Sequence, residues 1–404
     1  MTRIVDMMDV TRLTRAGRLG DALAVLRGGR PSPSVAAVTR DPEPGAATEP
    51  LLDCPAKAKP NPALPSSPQN AREAPSGSGA MPLPKSLRTL LDRVKQLQPA
   101  LGLKGLSGLT TSEAPASLPQ GARFETRSFT NAAGSRAYKL YVPSNYKGQT
   151  LPLVVMLHGC TQSPDDFAAG TRMNDLAEEH LFLVAYPAQS QSANPSKCWN
   201  WFNASDQMRD QGEPSLVAGI TREIMREFPV STRSVYVAGL SAGGAAAATM
   251  GSTYPDLYAA VGVHSGLACG VARDIPSAFA AMKQGASPTR QVPPRQGASV
   301  PTIVFHGDRD TTVNPVNADD VIAQAGAATN LRRTVSQGVA GGGMRFTRTV
   351  HDSHDGRTIL EQWVVHGAGH AWSGGSSDGS YTSPHGPDAS REMVRFFLAT
   401  SRMT

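Results

Sequence analysis

From about residue 122, near-continuous apolar runs alternate with helix-patterned segments, and no other feature of the chain limits its fold as tightly. The runs are Leu151–Leu157, Leu181–Tyr186, Ser234–Ala238, Ala259–Val263, Thr302–Phe305 and Ile359–Val365. A strand that is apolar on both faces must be covered on both, and helical crossovers are what parallel pairing needs. Asp165–His180, Leu216–Phe228, Pro315–Ala328 and Asp388–Leu398 carry the helical pattern. Arg123–Phe129 and Arg136–Val142 read as an opening hairpin around Asn131-Ala-Ala-Gly134. The expectation is an α/β domain over 122–400, a mostly parallel sheet with helices on both faces. Residues 271–299, rich in Pro, Gln and Ala, read as a surface excursion and a candidate lid.

The preceding residues have another texture. Residues 8–27 space Met8, Val10, Leu13, Ala16, Leu19, Leu23 and Leu26 as a short amphipathic helix, so 1–30 is read as one unit. Between Pro31 and Pro84 stand 13 prolines among Ala, Ser and Gly. Such a stretch buries too little apolar surface to offset its ordering entropy, and 31–84 is read as a disordered linker. In 85–121 a second amphipathic helix is expected from Leu87, Leu90, Leu91, Val94 and Leu97, ending before Pro99. This second helix is read as docking on the protein's own surface or on a partner, lipid or polymer surface, and polymer-surface contact is expected of the N-terminal helices together. Residues 1–120 carry 15 Lys/Arg against 10 Asp/Glu, so most of the net charge of +6 belongs to them. That leaves the main domain nearly neutral and gives no support for a nucleic-acid groove. No apolar run is long enough to span a membrane. The first ten residues hold Asp6 and Asp9 where a secretory leader needs an apolar core, so no signal peptide is read.

Chemistry concentrates where strands end. Ser234–Ala238 runs into Gly239-Leu240-Ser241-Ala242-Gly243, followed at once by an alanine-rich segment. This strand–turn–helix context is that of a nucleophile elbow, in which a serine at the tip of a sharp turn exposes its hydroxyl. Gly375-Ser376-Ser377-Asp378-Gly379 has the same spelling but lies in a polar loop, and is read as a chance match. A serine hydroxyl needs a base, a carboxylate to orient that base, and donors for the oxyanion. In the order Ser, Asp, His, the acid follows the strand Thr302–Phe305: Asp310 is the first choice, and Asp308 is the alternative, more suited to an Asx-type turn bond. The base is read as His370, in a Gly-rich loop after Ile359–Val365, with His366 packed at the strand end. Two glycines between His366 and His370 argue against a helical metal pair; no metal site and no cofactor is expected. His351 and His354 fall in a polar hairpin and are read as solvated. Oxyanion donors would be the amides of Ala242 and Cys160, the latter in His158-Gly-Cys-Thr-Gln162 after the strand Leu151–Leu157.

These segments, with Cys198-Trp-Asn-Trp-Phe202, His306-Gly-Asp-Arg-Asp-Thr-Thr-Val313 and Gly369-His-Ala-Trp372, resemble the polyhydroxybutyrate (PHB) depolymerase family of esterases, which includes feruloyl and acetylxylan esterases. The resemblance covers about 122–400. It implies an α/β-hydrolase fold, a triad falling on Ser241, Asp310 and His370, carboxylic-ester hydrolysis through an acyl-enzyme, and an extracellular location. The unread signal peptide points instead to the cytoplasm. Trp199, Trp201 and Trp372 are the candidate lining of an apolar ester groove. Cys160 and Cys198 fall in loops expected near the site and form the candidate disulfide, with Cys269 the competing partner. The favoured substrate is a short-chain hydroxyalkanoate polyester or oligomer; plant polysaccharide esters are the alternative. A peptidase or acyltransferase would use the same triad. A protein of another class would bind a polymer granule or a partner through residues 1–100.

Overall fold

The structure, a computed structural model, describes residues 118–286, 300–326 and 331–400. The two helices and the linker expected before residue 118, and part of the 271–299 excursion, lie outside the described residues.

A ten-stranded sheet organises the molecule, in the order β1-β2-β4-β3-β5-β6-β7-β10-β9-β8. Its strands are β1 (Arg123–Asn131), β2 (Gly134–Val142), β3 (Leu151–Leu157), β4 (Leu183–Pro187), β5 (Val230–Leu240), β6 (Ala260–His264), β7 (Thr302–Gly307), β8 (Arg332–Val339), β9 (Arg345–Asp352) and β10 (Thr358–Val365). β4, β3, β5, β6, β7 and β10 are parallel neighbours. β1 and β2 on one side and β9 and β8 on the other are antiparallel. A separate short pair joins β11 (Trp372–Ser373) to β12 (Thr382–Ser383).

Seven helices among the described residues cover the sheet: α1 (Pro164–Thr171), α2 (Met173–His180), α3 (Gly212–Glu227), α4 (Ala242–Thr253), α5 (Ile275–Gln284), α6 (Val316–Gly326) and α7 (Ala389–Ala399). Alternation along β3 shows how they divide. Leu153, Val155 and Leu157 share one apolar core with Val217 and Ile220 of α3, Ala245 and Ala248 of α4, and Val321 of α6. Val154 and Met156 share the other with Phe167 of α1, Leu176 of α2, and Met393 and Phe397 of α7. Successive side chains of a strand point to opposite faces, so a run apolar at every position feeds two cores at once.

Some elements differ from expectation. The helix expected over Asp165–His180 is two helices, broken at Arg172, whose φ of 53° lies in the left-handed region. The left-handed residue is Arg172 itself rather than Gly170, two positions earlier in the last turn of α1. The excursion after β6 contains α5, started by a reciprocal cap between Asp274 and Ser277. β8 and β9 form a hairpin beyond β10; β8 is exposed along nearly its whole length, so its composition carries no apolar pattern. His351 lies within β9 and is half-buried, whereas His354 is exposed in the turn that follows.

Helix α4 meets β3 at very close range. A Cβ on Gly243 would stand 2.0 Å from the Leu157 carbonyl oxygen, and one on Gly239 2.3 Å from that of Gly243. No side chain fits there, so the glycines of the elbow are required by backbone-to-backbone contact. Two histidines at strand ends, His158 and His264, are buried. Burial penalises the charged ring and pushes their pKa values down from 6.5, to about 4 and about 3.

Gly243→Ala is expected to lower the unfolding free energy by about 3 kcal/mol, read from the urea midpoint, because the methyl group meets backbone that cannot yield. His158 and His264 take up protons freely only after unfolding, so each withdraws stability as the pH falls from about 6.5 toward its folded value. In an NMR titration from pH 8 to 5 both rings should stay neutral.

Candidate active site

Five parallel strands, in the spatial order β3-β5-β6-β7-β10, present their carboxyl ends along one edge. Open α/β sheets place their ligands at this edge. His158–Gln162 follows β3, Ser241 follows β5, Asp310 follows β7 and His370 follows β10.

Ser241 links β5 to α4 with φ 58° and ψ −120°, a conformation uncommon for a residue with a side chain. The surrounding backbone holds it there. Its N–H donates to the His264 carbonyl at 2.9 Å, and its own carbonyl accepts the Ala245 N–H at 2.9 Å. Its hydroxyl does not cap α4, so the oxygen is left for other use. Ser377, at the centre of the second G-x-S-x-G match, is exposed in the turn between β11 and β12, with no strand leading into it and no helix leaving it.

Asp310 and His370 meet directly. His370 Nδ1 donates to Asp310 Oδ2 at 2.7 Å, which leaves Nε2 as the ring's proton-accepting atom. Asp310 Oδ1 accepts the N–H groups of Thr312 and Val313, both at 2.9 Å. His306 Nε2, which donates to the Val313 carbonyl at 2.9 Å, also stands 3.4 Å from Asp310 Oδ2. Burial would raise the Asp310 carboxyl, but the bonds from His306 and His370 and the Val313 amide outweigh it and hold the group well below the usual carboxylate range. Asp310 is therefore ionised and fixes the His370 tautomer.

Asp308 holds the neighbouring loop rather than its own turn. Its Oδ2 accepts His366 Nδ1 at 2.9 Å and its Oδ1 accepts the Gly367 N–H at 2.7 Å. His366 is thus not packed at the strand end but bridges Asp308 to Thr347, whose hydroxyl lies 2.9 Å from its Nε2. The sequence reading missed this clasp and the His306 contact. A signal for both was present: His-Gly pairs close β3, β7 and β10 at His158, His306 and His366.

Beside the elbow, the sulfurs of Cys160 and Cys198 are bridged, so the partner of Cys160 is not Cys269. Among the described residues, no acceptor takes the amide N–H of Cys160 or of Ala242. The tryptophans require correction as a ligand surface. Trp199 is fully buried with its indole N–H donating to the His158 carbonyl at 3.1 Å. Trp372 is buried between Phe167 and His264 and donates to Ser390 Oγ at 3.0 Å. Trp201 keeps 7% of its surface and packs edge-on against Phe202. Buried Glu213 fixes this segment by accepting the backbone and side-chain amides of Asn200 at 2.7 and 2.8 Å. Aromatic runs serve cores as readily as ligands, and here the indoles are the packing beneath the site loops. No group of three or more His, Cys, Asp or Glu suited to a metal ion exists among the described residues. No helix among them is long and apolar enough to cross a membrane.

The chain is similar to known proteins. The profile of the family described as "Esterase PHB depolymerase" matches residues 136–341, half of the chain, taking in Ser241 and Asp310. Poly(3-hydroxyalkanoate) depolymerase C of Paucimonas lemoignei is 31% identical over 252 residues, 60% of this chain and 59% of that protein. Acetylxylan esterase A of Talaromyces purpureogenus is 33% identical over 142 residues, 35% of this chain and 36% of that one. The chain spans at most about three fifths of the length of these relatives. Among solved structures, an acetyl xylan esterase from Aspergillus awamori superposes with a TM-score of 0.52 at 19% identity, covering 69% of this chain and 99% of its own. The fold is that of the α/β-hydrolases, and the chain belongs to the PHB depolymerase family of esterases.

Proposed function

We propose that the chain is a serine carboxylic-ester hydrolase acting on short-chain hydroxyalkanoate polyesters or oligomers. The observation that carries this reading is the 2.7 Å bond from His370 to Asp310 on the edge where Ser241 occupies its left-handed turn. In this mechanism His370 Nε2 takes the Ser241 proton as the serine oxygen attacks the ester carbonyl. The amides of Cys160 and Ala242 receive the oxyanion. His370 then protonates the departing alcohol, leaving an acyl-enzyme. Water, deprotonated by the same imidazole, attacks the acyl carbon, and the acid product leaves as Ser241 regains its proton. Asp310 holds the ring and stays ionised throughout.

The hydroxyalkanoate substrate is supported by the depolymerase relative, and the mechanism by the site. A second reading, an acetylxylan or feruloyl esterase acting on plant polysaccharide esters, is favoured by the acetylxylan esterases among both the sequence relatives and the superposed structures. The Cys160–Cys198 bridge supports an oxidising, extracellular setting. Polymer-surface binding through residues 1–100 lies outside the described residues and is a separate proposal, tested by granule association with and without that segment.

Ser241→Ala should reduce kcat/KM for p-nitrophenyl butyrate by about 10⁴-fold or more without changing the unfolding midpoint; retained activity would sink the assignment. Asp310→Asn should cost about 10⁴ in kcat through the wrong imidazole tautomer, far more than Asp308→Asn; the reverse ranking would reassign the acid. Initial rates on amorphous PHB, hydroxybutyrate oligomers, feruloyl esters and acetylated xylan decide the substrate, with the highest kcat/KM expected on the oligomers.

A further inference from the structure

The loop between β11 and β12, which carries the second G-x-S-x-G match, is pressed onto α1. A Cβ on Gly379 would stand 2.4 Å from the Asp166 carbonyl oxygen, and one on Gly375 2.7 Å from that of Gly170. The Ser376 N–H donates to the Gly170 carbonyl at 2.8 Å. The Asp166 carboxylate accepts the Ser380 N–H at 2.8 Å and the Ser380 hydroxyl at 2.6 Å, while the Ser380 carbonyl accepts Gln162 Nε2 at 3.0 Å. The residue delivered by this anchored loop is Tyr381.

Tyr381 has a φ of 53°, in the left-handed region that residues with a side chain seldom occupy. Backbone outliers of this kind collect where function needs a side chain held in place. Its carbonyl accepts the N–H of Trp372, two residues beyond His370, at 2.7 Å. Its hydroxyl lies 3.2 Å from Oγ1 of Thr161, the residue after Cys160. A hydroxyl has one hydrogen, and Thr161 gives its own to the Cys160 carbonyl at 2.6 Å, so Tyr381 is the donor. The ring thus reaches from the His370 loop to the Cys160 loop with both ends held, and 48% of the residue is exposed. Trp199, Trp201 and Trp372 are buried, whereas Tyr381 and Phe279 are the exposed Phe, Tyr or Trp side chains among the described residues. Phe279 stands on α5; Tyr381 is bonded to both site loops.

We infer that Tyr381 is a specificity-determining residue whose ring is the wall against which the alcohol side of the ester lies. This rests on the proposed serine mechanism. There His370 Nε2 must reach the oxygen of the departing alcohol, while the Cys160 amide holds the carbonyl oxygen. The alcohol portion therefore leaves the reacting carbon beside the His370 loop, to which Tyr381 is hydrogen-bonded. In an oligoester that portion is the next hydroxyacyl unit, an aliphatic segment. An aromatic ring fixed at both ends gives such a segment a large contact area and loses little freedom when it is covered. The substrate class selected is an ester whose alcohol side is extended and apolar.

The test measures kcat/KM for butyl butyrate and ethyl butyrate, which share an acyl group, in the full chain, Tyr381→Phe and Tyr381→Asn. Asparagine tolerates the left-handed backbone and removes the ring; phenylalanine keeps the ring and removes the bond to Thr161. The preference for the butyl over the ethyl ester should fall about 5- to 10-fold in the Asn variant, with ethyl butyrate within about threefold of the unaltered chain. In the Phe variant the preference should stay within about twofold. An unchanged preference in the Asn variant, or the same loss in both variants, would overturn the inference. Should the Asn variant not fold, Tyr381→Gly, which also accepts the left-handed backbone, reads the same ratio. Ser241→Ala separates the two levels: hydrolysis surviving there condemns the serine mechanism, whereas loss there with an unchanged ratio in the Asn variant condemns only the role of Tyr381.

Discussion

The site depends on a contact between two stretches of backbone. Where α4 leaves the sheet, Gly239 and Gly243 lie so close to the Leu157 carbonyl that no side chain fits between them. This couples the serine turn on β5 to the end of β3, the strand that delivers the amide of Cys160. Ser241 and the Cys160 amide are thereby set by the same few atoms, and the hydrogen-bonded Asp310 and His370 are added from β7 and β10. A backbone contact of this kind varies little with side-chain motion, since protein interiors have almost no free space to give.

A second principle is the use of buried imidazoles as spacers. His158, His264 and His306 each close a central strand, each is buried, and each hydrogen-bonds a backbone group of a neighbouring segment. His264 Nε2, for example, accepts the Ser373 N–H at 2.9 Å and ties β6 to β11, just beyond His370. His370, beyond β10, is instead bonded through Nδ1 to the Asp310 carboxylate. One residue type thus holds the loops at several strand ends and is the proposed base at another, and the difference lies in what surrounds each ring.

Much of this was legible in the sequence. The central strands announce themselves because burial on both faces demands unbroken apolar runs, and β3 was bounded correctly at both ends. β8 was missed because an exposed edge strand has no apolar pattern to show. The break at Arg172 was missed because nothing in its composition requires a left-handed residue there. Ser241, Asp310 and His370 stood out as polar residues just beyond apolar runs. The tryptophans misled because a sequence records that a residue is aromatic, not which side of it is wet. The Asp308–His366 clasp joins positions 58 residues apart, and pairing at that range is set by the fold, not by local pattern.

The Cys160–Cys198 bridge also changes the covalent topology. It closes a ring spanning 38 positions that contains α1, α2 and β4, a central strand of the sheet. Closing a loop of that size removes about 4 kcal/mol of unfolded-chain entropy in the chain-entropy model. Inside the ring, a cut in the main chain at Arg172 or Lys197 does not separate the molecule into two pieces. The nicked protein stays one covalent body, able to keep β4 in register while the break is carried.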